Sequence, residues 1–119
     1  GHLTTRFYVA MFDDASYHFL YEVFGWTISA HEHRRYGCAD VRHVIEYHAE
    51  VSAVDVLEIR AHLKKIGTKS FTTRYEMINM AKGEVAATLE SVCVYFDLEE
   101  RAAIAITDEM RAKAETFLD

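Results

Sequence analysis

Apolar and aromatic side chains recur along residues 8–24 at the spacing of a helix. Two rows of positions share this spacing: Tyr8, Phe12, Ala15, Phe19 and Val23 in the first, and Val9, Ser16, Leu20 and Phe24 in the second. Together the rows cover most of the helix circumference, so the pattern predicts a long helix that other elements must wrap. Thr4 or Thr5 is predicted to cap the start of this helix, and Gly25 is predicted to end it.

The rest of the chain has the pattern of β-strands. Alternating or β-branched and aromatic residues fill four stretches: 40–51, 55–66, 70–80 and 85–96. Because the turns at 67–69 and 81–84 are short, we expect consecutive strands to pair antiparallel. A helix followed by such strands predicts an α+β fold, with a long central helix wrapped by a curved antiparallel sheet. Thr107 is predicted to open a short C-terminal helix that runs to about Leu118.

The first predicted strand and the segment before it are rich in histidine and charge. We interpret 29–37 as a loop. In 40–51, the alternation predicts that Val41, His43 and Ile45 face the core and that His48 and Glu50 face outward.

Length and composition limit the class of protein. The 119 residues, half of them hydrophobic, predict a single folded domain over 1–119. No long apolar run or signal-peptide pattern occurs, which predicts a cytoplasmic protein without a membrane partner. The 13 basic and 19 acidic residues argue against a nucleic-acid partner. Cys38 and Cys93 are too far apart for a metal-binding pair and are predicted to be reduced, structural thiols.

Five short motifs resemble, in the same order, those of hotdog-fold acyl-CoA thioesterases of the 4-hydroxybenzoyl-CoA thioesterase type. Residues 1–8, GHLTTRFY, resemble the Gly-His-Val-Asn-Asn-x-x-Tyr segment that starts the central helix of that family. The others are FDDA at 12–15, similar to Phe-x-Glu-Ala; VDVL at 54–57, similar to Gly-Asp-x-Leu; IGTKS at 66–70, similar to Ile-Gly-x-x-Ser; and VCVYFD at 92–97, similar to Val-x-Val-Phe-Val-Asp. The resemblance covers Gly1 to about Arg111. Thr4, Thr5 and Val54 depart from the family pattern, which has two asparagines and a glycine there.

The resemblance implies the hotdog fold and an activity. A protein of this type hydrolyses an acyl-CoA thioester to the free acid and CoA, needs no metal or other cofactor, and self-associates as a dimer or tetramer whose sites combine two subunits. The family's catalytic aspartate lies three residues before the histidine of Gly-His, which is upstream of Gly1 here. A further N-terminal strand upstream of Gly1 would complete the sheet. The alternative function is a hotdog module that binds acyl-CoA or an acyl carrier without cleaving it.

Three residues are the catalytic candidates. A helix start offers backbone N–H groups and partial positive charge to a thioester oxygen, and His2 and Thr5 lie at that start. The resemblance implies that Asp14, in the Phe-x-Asp-Ala match, is the carboxylate that acts on water. The structural alternatives are a chain-end histidine, a helix cap and a solvated acid.

Basic residues around the turn at Gly67 are the candidates for binding the phosphates of CoA. Arg60, Lys64, Lys65 and Lys69, together with His62, form a local cluster in an acidic chain. The alternative is a solvated outer sheet face.

Four histidines, His31, His33, His43 and His48, raise the question of a zinc site. Their spacing does not complete a tetrahedral set, and His43 and His48 fall on opposite predicted faces. The sequence therefore predicts no metal, with His43 as a hydrogen-bonded core histidine.

Overall fold

The computed structural model describes residues 5–25, 35–52 and 54–119. It confirms the predicted order of one long helix, a run of strands and a short C-terminal helix. The elements are α1 (Thr5–Phe24), β1 (Tyr36–Tyr47), β2 (Leu57–Ile66), β3 (Ser70–Asn79), β4 (Glu84–Asp97), β5 (Ala102–Ala103) and α2 (Asp108–Glu115).

The helix α1 ends where the sequence predicts. Gly25 has φ of +70° and donates its N–H to the carbonyl of Tyr21 at 2.9 Å, which is the left-handed ending that glycine adopts without strain. Thr5 is itself helical, so it does not flank the helix as a cap. Thr4 lies outside the described residues.

The strands form one antiparallel sheet whose order differs from a simple meander. The order is β1-β4-β3-β2, and the short β5 pairs with β4. The expectation that consecutive strands pair is confirmed for β2–β3 and β3–β4 and is wrong for β1–β2. The connection from Tyr47 to Leu57 is longer than a hairpin turn and carries the chain across the sheet, so that β1 pairs with β4.

A β-bulge in β1 reverses part of the predicted pattern. Asp40 lies opposite Cys93 and Arg42 lies opposite Val92, so Val41 is an extra residue in the ladder. As a result Val41 is 58% exposed, and Asp40 takes the inner face. The strand begins at Tyr36, inside the predicted loop; residues 29–34 of that loop lie outside the described residues.

The core has two parts, one toward each end of α1. Tyr8 and Phe12 pack with Tyr75 and Met77 at the first end, and Val23 and Phe24 pack with neighbours on the sheet and α2 at the other. The flank of α1 that carries Phe7, Val9 and Tyr17 is exposed, so the described residues cover only part of the helix. In the described part of the chain, neither helix has the length and hydrophobicity needed to cross a lipid bilayer.

Candidate active site

An open cleft of about 380 Å³ lies at the start of α1. Thr5 and Tyr8 form its helix side, and Tyr47 with residues 48–51 forms the other side. The rings of Tyr8 and Tyr47 meet edge to face with centroids 5.0 Å apart, and burial raises the pKa of Tyr8. The pair therefore gives the cleft an aromatic wall beside the helix start.

The start of α1 gives one end of this cleft a positive electrostatic potential. Backbone N–H groups in the first turn of a helix have no intrahelical partner, and the aligned peptide dipoles add a partial positive charge there. The first turn of α1 carries no acidic side chain that would neutralise this charge. An oxygen that becomes negative during a reaction is stabilised in such a position.

The structure separates the three catalytic candidates. Thr5 lines the cleft. His2 lies outside the described residues. Asp14 is exposed on α1, nine residues after Thr5, which is about 14 Å along the helix axis, and it does not line the cleft. Within one chain the structure therefore does not bring Asp14 to the helix start.

Two polar residues of the cleft were missed by the sequence reasoning. The alternation placed His48 and Glu50 on the outer face of a strand, but β1 ends at Tyr47 and the chain bends after it. The N–H groups of His48 and Ala49 both donate to the carbonyl of Ala86, at 2.8 and 3.2 Å, which breaks the alternation. Nε2 of His48 lies 3.4 Å from Oγ1 of Thr88. The sequence carries no local signal of this bend.

Two of the predicted phosphate-binding residues make ion pairs with acidic neighbours. Arg60 donates to Glu58 at 3.0 Å, and Lys64 lies 3.3 Å from Asp119. Lys65 and Lys69 are exposed and make no ion pair with any residue that the structure describes. Since the ten residues of β2 span about 30 Å, the lysines near Gly67 lie at the far end of the sheet from the cleft.

His62, the fifth member of that basic cluster, lies between two carboxylates. Its Nε2 is 2.9 Å from Glu76 and its Nδ1 is 2.9 Å from Asp119. This arrangement holds the last residues against β2, where Leu118 bridges Leu63. The side chain of His62 therefore stabilises the fold. Lys65 and Lys69 are the two members of the cluster that make no ion pair among the described residues.

A second, smaller cavity of about 30 Å³ lies between α1 and β1, one helical turn after the cleft. Its polar lining comes from Asp13 and Ser16 on α1 and from Asp40, His43, Ser91 and Cys93 on the sheet. The sequence predicts that His43 is a core histidine with a hydrogen-bond partner. Its side chain is instead 37% exposed, and its Nε2 lies 3.5 Å from a carboxylate oxygen of Asp40.

The described residues contain no group of three or more His, Cys, Asp or Glu side chains that could hold a metal ion. Of the four histidines considered for zinc, His31 and His33 lie outside the described residues. Neither Cys38 nor Cys93 forms a disulfide.

Comparisons with known proteins agree with this architecture. A family model described as the thioesterase-like superfamily matches residues 1–114. No curated protein matches the chain at the level of sequence.

Solved structures provide further matches. A Staphylococcus aureus protein determined in complex with CoA matches with a TM-score of 0.87 and 17% identity, over 99% of this chain and 75% of that one. A gentisyl-coenzyme A thioesterase matches with a TM-score of 0.82 and 23% identity, over 97% and 88%. The probable thioesterase YbaW from Escherichia coli matches with a TM-score of 0.78 and 21% identity, over 99% and 87%. At these identities the matches show the fold, and they confirm the predicted hotdog arrangement.

Proposed function

Because this chain belongs to the thioesterase-like superfamily, we propose that it hydrolyses an acyl-CoA thioester to the free acid and CoA. The observation that carries the proposal is the open cleft at the start of α1, where N–H groups of the first turn, which have no partner within the helix, adjoin space for a substrate. A similar structure was determined in complex with CoA, which supports a CoA thioester as the substrate.

The reaction follows from the position of the helix start. Water attacks the carbonyl carbon of the thioester, a C–O bond forms, and the carbonyl oxygen becomes negative. Backbone N–H groups at the start of α1 stabilise that oxygen, with Thr5 donating a hydrogen bond beside them. The intermediate then collapses, the C–S bond breaks, and the CoA thiolate leaves and takes the proton that the water lost.

The carboxylate that acts on water comes from a second subunit in this proposal. Asp14 is too far along α1 to serve the cleft of its own chain, so it serves the site of a partner. The proposal keeps for His2 the role expected from the sequence, next to the reacting carbonyl. The exposed flank of α1, which carries Phe7 and Tyr17, and the open edge of β1 are the surfaces through which two copies associate.

The phosphates of CoA are bound by Lys65 and Lys69 in the same arrangement. Both side chains are exposed cations without an ion pair among the described residues. Because they lie at the far end of the sheet from their own cleft, they contribute to a site completed by the partner. Arg60 and Lys64 add to the local positive potential while paired with Glu58 and Asp119.

Release of free thiol from CoA thioesters tests these roles. His2→Ala and Asp14→Asn are each expected to lower kcat by about a hundredfold, the usual contribution of a positioned acid–base group. Glu22→Gln removes another exposed acid of α1, which lines neither of the two cavities described above, and is the matched control.

Mixing the two variant proteins tests the shared site. A mixed dimer of His2→Ala with Asp14→Asn has one intact site, so random mixing restores about one quarter of the wild-type rate. Full activity in both single variants would reject these residue roles. Activity lost in both and not restored by mixing would place Asp14 and His2 on one chain's site.

A further inference from the structure

One side of the cleft at the start of α1 is built from backbone that belongs to no strand. Residues 48–51 (the cleft loop) follow the end of β1 and line the cleft on the side away from Thr5 and Tyr8. Outside a strand ladder, individual hydrogen bonds and burial fix the position of the backbone. The width of the cleft therefore depends on what holds the two ends of the cleft loop.

The end of the cleft loop next to β1 is held by the sheet and by α1. The N–H groups of His48 and Ala49 both donate to the carbonyl of Ala86 in β4. Val51 is fully buried in the same part of the core as Tyr8. Burial raises the pKa of Tyr8, and a hydrogen bond between its hydroxyl and the backbone of Val51 opposes that rise. The cleft loop is thus joined to both β4 and the first turns of α1.

A carboxylate holds the other end of the cleft loop. Ser52, the next residue, donates its N–H to Oδ2 of Asp55 at 2.9 Å and its hydroxyl to the same oxygen at 3.3 Å. In return, the N–H of Asp55 donates to the carbonyl of Ser52 at 3.0 Å. The bond from the N–H of Ser52 is the main cause that lowers the pKa of Asp55, so the carboxylate is ionised at neutral pH.

Asn79 connects this carboxylate to the end of the sheet. The residue is fully buried, and its Nδ2 donates to Oδ2 of Asp55 at 3.1 Å. Its Oδ1 accepts the N–H groups of Ala81 and Lys82, at 3.1 and 3.3 Å, in the turn between β3 and β4. A buried amide whose donor and acceptor sides both have partners is held in one orientation. Asp55 is therefore fixed against β3, and the end of the cleft loop is fixed with it.

Resting on the proposed thioesterase function, we propose that Asp55 is a positioning residue, which through Ser52 holds the cleft loop where a thioester carbonyl meets the N–H groups at the start of α1. Asp55 does not line the cleft, so it acts on the substrate through the cleft loop. A loop held at one end only would let the carbonyl move away from those N–H groups. Small displacements of this kind strongly lower the rate of the chemical step.

Three substitutions of Asp55 separate position from charge. Asp55→Asn keeps an oxygen at the same distance for Ser52 and Asn79, Asp55→Glu keeps the charge but moves the oxygens by one methylene group, and Asp55→Ala removes both. The assay uses whichever of acetyl-CoA, hexanoyl-CoA, benzoyl-CoA and palmitoyl-CoA the wild type hydrolyses fastest. We expect kcat to fall at least tenfold in Asp55→Ala and Asp55→Glu and to stay within about threefold of the wild type in Asp55→Asn. Equal kcat values for Asp55→Asn and Asp55→Glu would overturn the proposal, whether or not Asp55→Ala folds.

Asp97→Asn is the matched control for a general loss of stability. Asp97 also orders a turn by accepting backbone N–H groups, and it lies at the end of β4 opposite to the Glu84 end that pairs with Asn79. Its substitution leaves the cleft loop in place, so kcat per folded protein, with the folded fraction measured by circular dichroism, should keep the wild-type value. A loss of kcat in Asp97→Asn as large as in Asp55→Glu would reject a specific role for Asp55.

Hydrogen exchange followed by mass spectrometry tests the position of the cleft loop without any substrate. Peptides that contain residues 48–52 should exchange at least tenfold faster in Asp55→Ala and Asp55→Glu than in the wild type, because the N–H of Ser52 loses its acceptor. The same peptides should exchange at the wild-type rate in Asp55→Asn and Asp97→Asn. Wild-type exchange in Asp55→Glu would contradict the assignment.

Failure of the proposed function gives a different pattern. If the wild type hydrolyses none of the four thioesters, the thioesterase function is rejected, and the exchange rates still decide whether Asp55 holds the cleft loop. If the wild type hydrolyses one of them and all three variants of Asp55 keep its kcat, the thioesterase function stands and the role of Asp55 is rejected.

Discussion

At the scale of single residues, an ion pair with several hydrogen bonds joins Arg35, the residue before β1, to the end of β4. Arg35 donates three hydrogen bonds to the carboxylate of Asp97, at 2.8, 2.9 and 3.1 Å. Asp97 also accepts the N–H groups of Glu99 and Glu100, which order the turn after β4. These bonds, those from Arg35 first, lower the pKa of Asp97 to about 2. The carboxylate thus fixes the strand end that pairs with Tyr36.

This contact predicts how stability depends on pH. An aspartate in an unfolded chain has a pKa of about 3.9, so with a folded-state pKa of about 2 the unfolded state binds the proton first. The stabilisation is complete above about pH 4 and is lost as the pH falls toward 2. Urea unfolding at several pH values should show that the free energy of unfolding falls less steeply with decreasing pH for Asp97→Asn than for the wild type.

Glu99→Gln is the control for this prediction. It removes the exposed ion pair at 3.3 Å to the same Arg35 and leaves Asp97 in place, so the wild-type slope should remain. Parallel curves for the wild type and Asp97→Asn between pH 4 and 2 would show that the bonds from Arg35 do not stabilise the folded state.

At the scale of elements, α2 depends on its first turn. Thr107 has an extended backbone and its hydroxyl accepts the N–H of Met110 at 3.2 Å, as the sequence predicted. The helix buries only Ala114 fully, so little packing compensates for a lost cap. The cap is therefore expected to contribute measurably to the stability of α2 against the end of α1.

Replacing this cap should have a small and specific effect. Thr107→Ala is expected to lower the free energy of unfolding by about 1 kcal/mol, because the N–H of Met110 loses its partner. Thr107→Ser keeps the hydroxyl and should restore the wild-type value in urea unfolding followed by circular dichroism. Equal stability of all three proteins would contradict a capping role.

The elements also show what the sequence could and could not predict. The extent of α1 follows from a local repeat and one glycine, and the turns follow from short polar segments, so both were predictable. The bulge in β1 was not, because Asp40 turns inward toward Cys93, which is distant in sequence. Thr5 could be assigned to the cleft because a local pattern marks the start of the helix. His48 could not, because its place in the cleft depends on the bend after Tyr47, which no local pattern marks.

At the scale of the whole molecule, apolar surface remains uncovered along one side. Phe7 and Tyr17 on α1 are 54% and 52% exposed, and β1 has no neighbour on its outer edge among the described strands. Exposed strand edges pair readily with another chain. This surface is where we place the second copy that the shared site requires.

Sedimentation velocity tests the predicted assembly. The wild type should be a dimer or larger at micromolar concentration, and Val41→Asp should raise the dissociation constant at least tenfold, because it introduces an unpaired charge at the bulge of β1. Val54→Asp changes a residue that is 88% exposed and off the strands, and should not alter assembly. A monomeric wild type would exclude a site made from two subunits.

In the proposed function, the cleft at the start of α1 cleaves a thioester and does not merely hold it. The most direct measurement is the release of free CoA thiol by the purified protein with acyl-CoA in large excess. We expect many thiols released per protein molecule, at a rate proportional to protein concentration. CoA thioesters that bind to the protein and remain intact would contradict the proposed hydrolysis and identify a binding module.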